Sequence, residues 1–588
     1  MIINYRDKLP VEIWHHIFEI QAAQAEAHRI LAGGFNSPNS TLNADPYAVP
    51  ENLDSGVCFP YSIAASCHFF ESVLAKIPAA WRRILVYLDD DEPQRTMETY
   101  AERLQKAGVT ATDILITRRN WHALAARPNS APEVPPDPVE EEKVLSILPL
   151  IFQLAPSAAS LTIRTISGDS LPHINHFTGR SYPDLHTLVL DSLIRGTGTL
   201  LPYEIPKPDD ALEVLLPSAH ILTLSGPNFG YLYQNPAWKA WYLTTRPTRD
   251  LPRFTKLRVS HWRTEDGYTS TNECVLNTKQ FFEAFFAGCY REAELAHMDC
   301  VRYPIDGDDM DSPQYDFMML EDVSLDCFHS YLECITDIWA EDEQDRFAEF
   351  THKFVNCTFR ADPGHRHWHL NPSAGILGDS IVLVNMSDEN SIKACLDLAA
   401  EDVFGLWVSD SPGFTDSLLR GLGHEDRLRP GDLRRTRRIL NLRSLYLNDC
   451  PQISMGSLRR LVEDRNVGWT FEAEEDPEEH CPPSEFEELM SKFYSEIMYG
   501  DDDIWGETLE RDAEDDPNDP DYLPDDEHSD DSLSDEDTDS DFIHGYSTLR
   551  KVVLSGRMPD VTEDDINWFE ERGVSLEILS DPTHFVIP

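Results

Sequence analysis

The chain has 588 residues, with 104 acidic and 49 basic side chains and a net charge of −55. Its length predicts more than one structural unit, and its excess of acid argues against nucleic-acid binding, which depends on basic surface. The 11 cysteines show no tight framework, no apolar run approaches about eighteen residues and no secretory signal is visible, so we expect an intracellular protein, in the cytoplasm and/or nucleus, without a membrane span.

The first predicted element is an amphipathic helix that starts near Leu9. Leu9, Ile13 and Ile17 recur every four residues and therefore share one face of a helix. Pro10 fits the first turn, where the N–H that proline lacks would have no helical partner in any case. Glu12 places a negative charge near the positive end of the helix dipole. The pattern therefore predicts a helix with an apolar stripe along one side.

Two short segments follow this helix in a characteristic order. Cys67 precedes Phe69 and Phe70 in a second helical segment, and Pro78 and Trp81 stand three residues apart in a third. The order LPxEIxxxIF, then a helix with cysteine and phenylalanine, then PxxW resembles an F-box, over about residues 5–88 and in a form similar to fungal F-box proteins. The alternative is an ordinary helical hairpin whose apolar stripe packs on the neighbouring domain.

The F-box resemblance implies a partner and a set of contact residues. Members of the family dock on the Skp-type adaptor of cullin-based (SCF-type) ubiquitin ligases, and the rest of their chain selects a protein substrate. The resemblance implies a small helical domain at residues 1–88, with a loop insertion at about 21–61 in place of the family's short link. The residues that it implies for adaptor binding are Leu9, Pro10, Ile13, Ile17, Cys67 and Trp81.

Two strands and a helix are predicted directly after the F-box-like segment. Ile84–Leu88 and Asp113–Thr117 are apolar runs of strand length, and they flank a predicted helix from Gln94 to Ala107 that stops at Gly108. We place these elements as the first turn of a solenoid. A proline-rich linker or exposed loop follows at about residues 127–138.

From about residue 157 onward, short runs of alternating apolar residues return at irregular intervals. The clearest runs from Leu442 to Cys450 and continues with Leu458 and Leu461, and it resembles a leucine-rich repeat with its Asn/Cys turn and following helix. The spacing between copies is roughly 27 to 38 residues, looser than the usual 20–29 of that repeat. We therefore predict the α/β class, with an irregular leucine-rich-repeat-like solenoid of parallel strands and helices at residues 89–471 and a final repeat or cap at 546–588. An ordinary α/β domain is the alternative.

An acidic segment at residues 472–545 interrupts this pattern. About 31 acidic and 2 basic residues lie between Glu472 and Asp541, a local charge of about −29. Such a stretch cannot bury its charges, so we predict that it is disordered. Ser532, Ser534 and Thr538 each precede an acid by three residues, which resembles sites of casein-kinase-two type. The alternative is an acidic loop that only aids solubility.

The remaining motifs give little reason to expect catalysis, a cofactor or a metal. Ser380 in Gly-Asp-Ser-Ile, with Asp581 and His584, weakly resembles a GDSL-type hydrolase but lacks that family's oxyanion block. Three alternating histidines at 365–369 could in principle hold zinc, yet no fourth ligand is nearby. The sequence predicts a non-enzymatic SCF adaptor with an unknown protein substrate. The alternative function is a leucine-rich-repeat scaffold whose acidic arm binds basic proteins outside any ligase.

Overall fold

A computed structural model of the chain contains one sheet in which 14 parallel strands follow one another in the order of the sequence. The structure describes residues 9–21, 63–64, 67–119, 121, 124, 135–178, 181–196, 214, 216, 218–243, 254–262, 276–287, 290–299, 317–341, 350–359, 376, 378–399, 403–423, 439, 441–466 and 548–579. All of them belong to one compact unit formed by residues 1–466 and 546–588. The predicted acidic segment with Ser532, Ser534 and Thr538, and nearly all of the predicted insertion at 21–61, lie outside the described residues.

Described helices lie between most of the consecutive strands. The strands are β1 (Arg83–Tyr87), β2 (Asp113–Thr117), β3 (Ser160–Ser167), β4 (Thr187–Ile194), β5 (Ile221–Ser225), β6 (Phe254–Ser260), β7 (Tyr290–Ala296), β8 (Phe317–Glu321), β9 (Thr351–Val355), β10 (Ser380–Val384), β11 (Gly405–Ser409), β12 (Ser444–Asn448), β13 (Lys551–Ser555) and β14 (Ser575–Leu579). The helices described are α1 (11–21), α2 (His68–Leu74), α3 (Pro93–Ala107), α4 (Glu140–Leu154), α5 (Gly226–Gln234), α6 (Pro236–Leu243), α7 (Thr278–Phe286), α8 (Leu325–Glu341), α9 (Glu389–Asp397), α10 (Asp416–Gly423), α11 (Met455–Asn466) and α12 (Glu563–Glu570). The predicted α/β class and parallel, solenoid-like arrangement are confirmed.

The first strand pair has the predicted form. Strands β1 and β2 pair in parallel, with Ile84 opposite Ile114, and α3 connects them. The helix ends at Gly108, whose φ of 63° lies in the left-handed region that glycine adopts without steric cost. These two strands open the sheet, so the placement of residues 84–117 as the start of the solenoid is confirmed.

The register stacks equivalent residues into columns. In β12, Leu445 and Leu447 are fully buried, while Ser444 and Tyr446 point to the opposite face. The second and fourth residues of β1 to β13, counted in this register, are buried in a single hydrophobic core, with one polar exception, His352. Nε2 of that imidazole lies 2.7 Å from the Tyr331 hydroxyl, a hydrogen bond buried inside the core. We call the face formed by the first, third and fifth residues the non-core face.

A repeated turn follows the strands in the second half of the sheet. The residues directly after β6 to β12 have φ between 47° and 57°: His261, His297, Asp322, Asn356, Asn385, Asp410 and Asp449. Each donates its backbone N–H to the carbonyl of the last residue of the next strand, as Asn385 does to Ser409 at 2.9 Å. Asn and Asp tolerate this left-handed conformation better than most residues, and Gly556 occupies the equivalent position after β13. The turn thus adds one more hydrogen-bonded row beyond the strands.

A matched pair of substitutions at Asn385 tests the cost of this turn. Both Asn385→Gly and Asn385→Val remove the side-chain hydrogen bond to Asn356, but only valine is strained at a φ of 52°. We expect the valine variant to be less stable than the glycine variant by about 1–2 kcal/mol. Urea denaturation of the two proteins measures the difference, and equal midpoints would show that the left-handed turn carries no such constraint.

Candidate partner-binding surfaces

Helix α1 packs on the protein through an aromatic face. Its residues Trp14 and Phe18 contact Phe70, with ring centroids 4.9 and 5.5 Å apart. Phe18 is buried, and Ile17 is half-buried against the same core. Aromatic contacts of this geometry add to the gain from burial itself, so they fix the orientation of α1.

The opposite side of α1 is apolar and exposed. Leu9, just before the helix, and Ile13 and Ile20 within it are 41%, 46% and 46% exposed, and the spacing of seven residues places Ile13 and Ile20 on one face of α1. We call these three residues the N-terminal stripe. Among the described residues seven large apolar side chains are exposed, and with Val11 this short stretch supplies four of them. Such a concentration of exposed apolar surface is typical of an interaction site.

The six residues implied by the F-box resemblance have different positions. Leu9, Pro10 and Ile13 are exposed, whereas Ile17 is half-buried beside them. Cys67 is partly exposed and directly precedes α2. These residues lie near the start of the compact unit, and three of them point outward.

Trp81 requires a correction, because the structure places it inside the protein. Its indole is 3% exposed and donates a hydrogen bond to the Leu74 carbonyl at 2.8 Å. The Arg103 guanidinium lies 4.7 Å from the ring centroid, and the same arginine pairs with Glu71 at 2.9 Å. Trp81 therefore joins α2 to α3 through packing and does not itself present a surface to a partner.

A charged network occupies the non-core face of β6 to β9, where the sequence analysis predicted no site. Arg258 binds Glu294 at 3.1 Å and Glu321 at 2.9 Å, and Lys256 also pairs with Glu294. Burial alone would raise the pKa of Glu294, but the facing Lys256 and Arg258 lower it below its usual value. The signal that could have revealed this network is the alternation Lys-x-Arg in one predicted strand and Glu-x-Glu in the next.

A buried lysine and a pair of stacked histidines lie near this charged network. Lys353 on β9 is 5% exposed, and burial lowers its pKa although Glu294 opposes that shift. At the end of the strands, the His261 and His297 rings stack with centroids 4.7 Å apart, and His297 bonds Asp322 at 2.9 Å. Burial lowers the pKa of His261 to about 4, with His297 as a second cause, so His261 is neutral near pH 7.

An aromatic patch lies beside this network on the non-core face of β10 to β12. The rings of Trp407 and Tyr446 stack with centroids 4.5 Å apart and planes within 6°. Val382 and Val384 pack against them, separately from the main core. The charged network and this patch are neighbouring parts of one strand face.

The described residues contain no assembled catalytic or metal centre. Ser380 begins β10 and is 9% exposed, while Asp581, His584 and the histidines at 365–369 lie outside the described residues. No group of three His, Cys, Asp or Glu residues in the described part is arranged to hold a metal ion. In that part, no helix combines the length and the apolar character that crossing a bilayer requires.

Comparison with known proteins gives no assignment, since neither a protein-family model nor a curated protein matches this chain.

Removing one charge from the buried network should be costly. Glu294→Gln leaves Lys256 and Arg258 without their shared partner in a site where the Glu294 side chain is 5% exposed. We expect a loss of about 3 kcal/mol in the free energy of unfolding, measured by urea denaturation. Glu577→Gln is the matched control, because Glu577 has the same strand position in β14 but pairs with Lys551 at an exposed site. That control should cost at most about 1 kcal/mol, and equal losses would refute a special role for Glu294.

Burial of His261 should make stability depend on pH. Because its folded pKa of about 4 lies below the ordinary 6.5, the unfolded chain takes up a proton first as the pH falls. The contribution is therefore fully present above pH 6.5 and decreases toward pH 4, by up to about 3 kcal/mol. Denaturation of His261→Asn across this range should show a flatter profile than the wild type. An unchanged slope would contradict the assignment of a buried neutral imidazole.

Proposed function

We propose that this chain is a substrate-recognition adaptor of an SCF-type ubiquitin ligase. The observation that carries the proposal is the N-terminal stripe, in which Leu9, just before α1, and Ile13, within it, are exposed while another side of the helix is anchored. A helix that served only to pack on the adjacent domain would turn these side chains inward. In the proposal, the stripe binds the Skp-type adaptor, and Ile17 contributes from its edge.

The repeats fit the second half of the proposal. In β12, Leu445 and Leu447 enter the core, the Asn448 amide donates to Ser409 Oγ at 2.9 Å, and the Cys450 thiol lies 3.6 Å from the Val408 carbonyl. This is the arrangement that the leucine-rich-repeat resemblance implies for its Asn/Cys turn, and we propose that the sheet is an irregular member of that class. The non-core face, with its charges and aromatic patch, is then the substrate-binding surface.

The proposed chemistry involves no bond-making by the chain itself. An adaptor of this kind holds a substrate near the ubiquitin-conjugating enzyme and so raises its effective concentration. No catalytic residue or cofactor is needed for that role. The identity of the substrate is left open.

A second candidate follows from the charge distribution. About 31 of the 104 acidic residues lie between Glu472 and Asp541, and such an arm would attract basic proteins without any ligase. This function requires binding that weakens steeply with salt and disappears when residues 472–541 are deleted. The adaptor function requires neither, so the two are separable in one set of pull-downs.

Substitution of the N-terminal stripe tests the adaptor proposal. Leu9→Asp with Ile13→Asp places two charges where apolar contact with a Skp-type protein is expected, and binding should fall at least tenfold. The matched control is Val139→Asp with Leu145→Asp, since both of those residues are also exposed apolar side chains. Binding is measured by pull-down and titration with purified Skp-type adaptor, with circular dichroism to verify folding. Failure of the wild type to bind, or equal loss in the control, would refute the proposal.

A further inference from the structure

The last two strands of the sheet, with the helix between them, are separated from the rest of it by a long connection. Helix α11 ends at Asn466, and β13 begins at Lys551. We call β13, α12 and β14 the C-terminal cap. Residues 449–550 separate β12 from β13, whereas residues 410–443 separate β11 from β12. A longer connection holds its two ends together less effectively, because its closure costs more conformational entropy.

The C-terminal cap has a neighbour on one side only. Strand β13 pairs with β12, whereas β14 pairs with β13 and with no other described strand. On the free side of β14, Ile578 is 50% exposed although its register partner Leu554 is buried. The cap is therefore held on the sheet chiefly through its contacts with β12 and α11.

The apolar part of this junction joins two pairs of core residues. In the register, Leu445 of β12 lies beside Val552 and Leu447 lies beside Leu554, and all four side chains are buried. Phe569 of α12 belongs to the same core. Removal of the cap would expose the two leucines, together with the backbone edge of β12 that now pairs with β13. The cap therefore covers the part of the core that lies nearest to the end of the sheet.

Two ion pairs also cross the junction. The Arg459 guanidinium of α11 binds Asp565 of α12 at 2.6 Å, and it lies 5.2 Å from the centre of the Trp568 ring. The Asp565 side chain is 9% exposed, so water screens this pair only in part. The second pair joins Arg557 to Asp449 at 3.1 Å, but the arginine side chain is 83% exposed. Because exposed ion pairs contribute little, the Arg459–Asp565 pair is the more important of the two.

We propose that the C-terminal cap undocks from β12 and α11 as one unit while the preceding strands stay folded, and that the Arg459–Asp565 pair limits this opening. In a stack of repeats each unit is stabilised by its neighbours, so a terminal unit with one neighbour opens at a lower free energy than the interior. Opening exposes the edge of β12 with Leu445 and Leu447, and closure covers them again. The cap is thus a conformational switch that controls the exposure of this edge. The opening is independent of the adaptor function proposed above.

Native-state hydrogen exchange of the full chain, followed by mass spectrometry at urea concentrations below global unfolding, tests this opening. Backbone amides of β13 and α12 should exchange together, and at lower urea than those of β10 and β11. Arg459→Met removes the charge but keeps a long unbranched side chain, and it should speed exchange in the cap about fivefold while leaving β10 and β11 unchanged. Arg460→Met is the matched control, because Arg460 is the next residue of α11 and its side chain is exposed. It should leave exchange in the cap unchanged.

Several results would overturn the proposal. Exchange of the cap at the same urea as β10 and β11 would mean that it opens only when the whole protein unfolds, and separate exchange of β13 and α12 would contradict a single unit. No acceleration in Arg459→Met, equal acceleration of β10 and β11, or the same acceleration in Arg460→Met would contradict the role of the ion pair. Faster exchange confined to the cap, and seen in Arg459→Met alone, would support both the independent opening and the part that Arg459 plays in it.

Discussion

Each strand of this sheet depends on the strands before and after it for its backbone hydrogen bonds. All pairs are parallel and in sequence order, so no repeat can satisfy its own N–H and C=O groups or bury its own apolar edge. A fully buried Leu or Val contributes about 1.5–3 kcal/mol relative to an exposed one, but only where a neighbour covers it. The two ends of the stack differ accordingly: Phe18, Leu74 and Trp81 extend the core before β1, whereas Ile578 in the last strand is 50% exposed. The stability of each strand therefore depends on the strands beside it.

The pairing of neighbouring strands also decides on which face of the sheet charged residues can lie. Because side chains alternate across a strand, a shift of one residue would exchange the two faces completely. The first and third positions of the shared register hold Lys256 and Arg258 in β6 and Glu292 and Glu294 in β7. A slip of one residue in either strand would therefore turn its two charged side chains into the core. Pairing across the strands therefore selects the register as well as neutralising the charges. The divergence of β4 from β5 shows the reverse case, in which pairing stops and the buried Ser192 and Ser225 hydroxyls have no hydrogen-bond partner among the described residues.

Much of the strand framework could be predicted, because two buried residues per strand leave a period-two signal. The helix stop at Gly108 and the turn after Leu447 were also readable, since each needs a particular residue type. Strand β7 was harder: Ala293 occupies a column that larger side chains fill in the other paired strands, and Leu295, two positions on, gave the stronger signal. Strand β14 was missed because Glu577 and exposed neighbours dilute its pattern. The charged network and the divergence of β4 from β5 were not predicted, because each depends on which strands become neighbours and on where their pairing ends.

Helix α1 differs from the strands because part of its apolar surface is exposed and not covered by a neighbouring element. It is apolar on two sides, with Trp14 and Phe18 against the core and Ile13 and Ile20 outward, a distribution expected of a helix placed between two protein surfaces. Because the aromatic side fixes its orientation, the outward side chains are already positioned before a partner arrives. A prepositioned surface loses less conformational entropy on binding than a mobile segment does. In the proposed adaptor function, the anchoring of one face prepositions the other face for docking, and Trp81, although buried, contributes by holding α2 and its Phe70 in place.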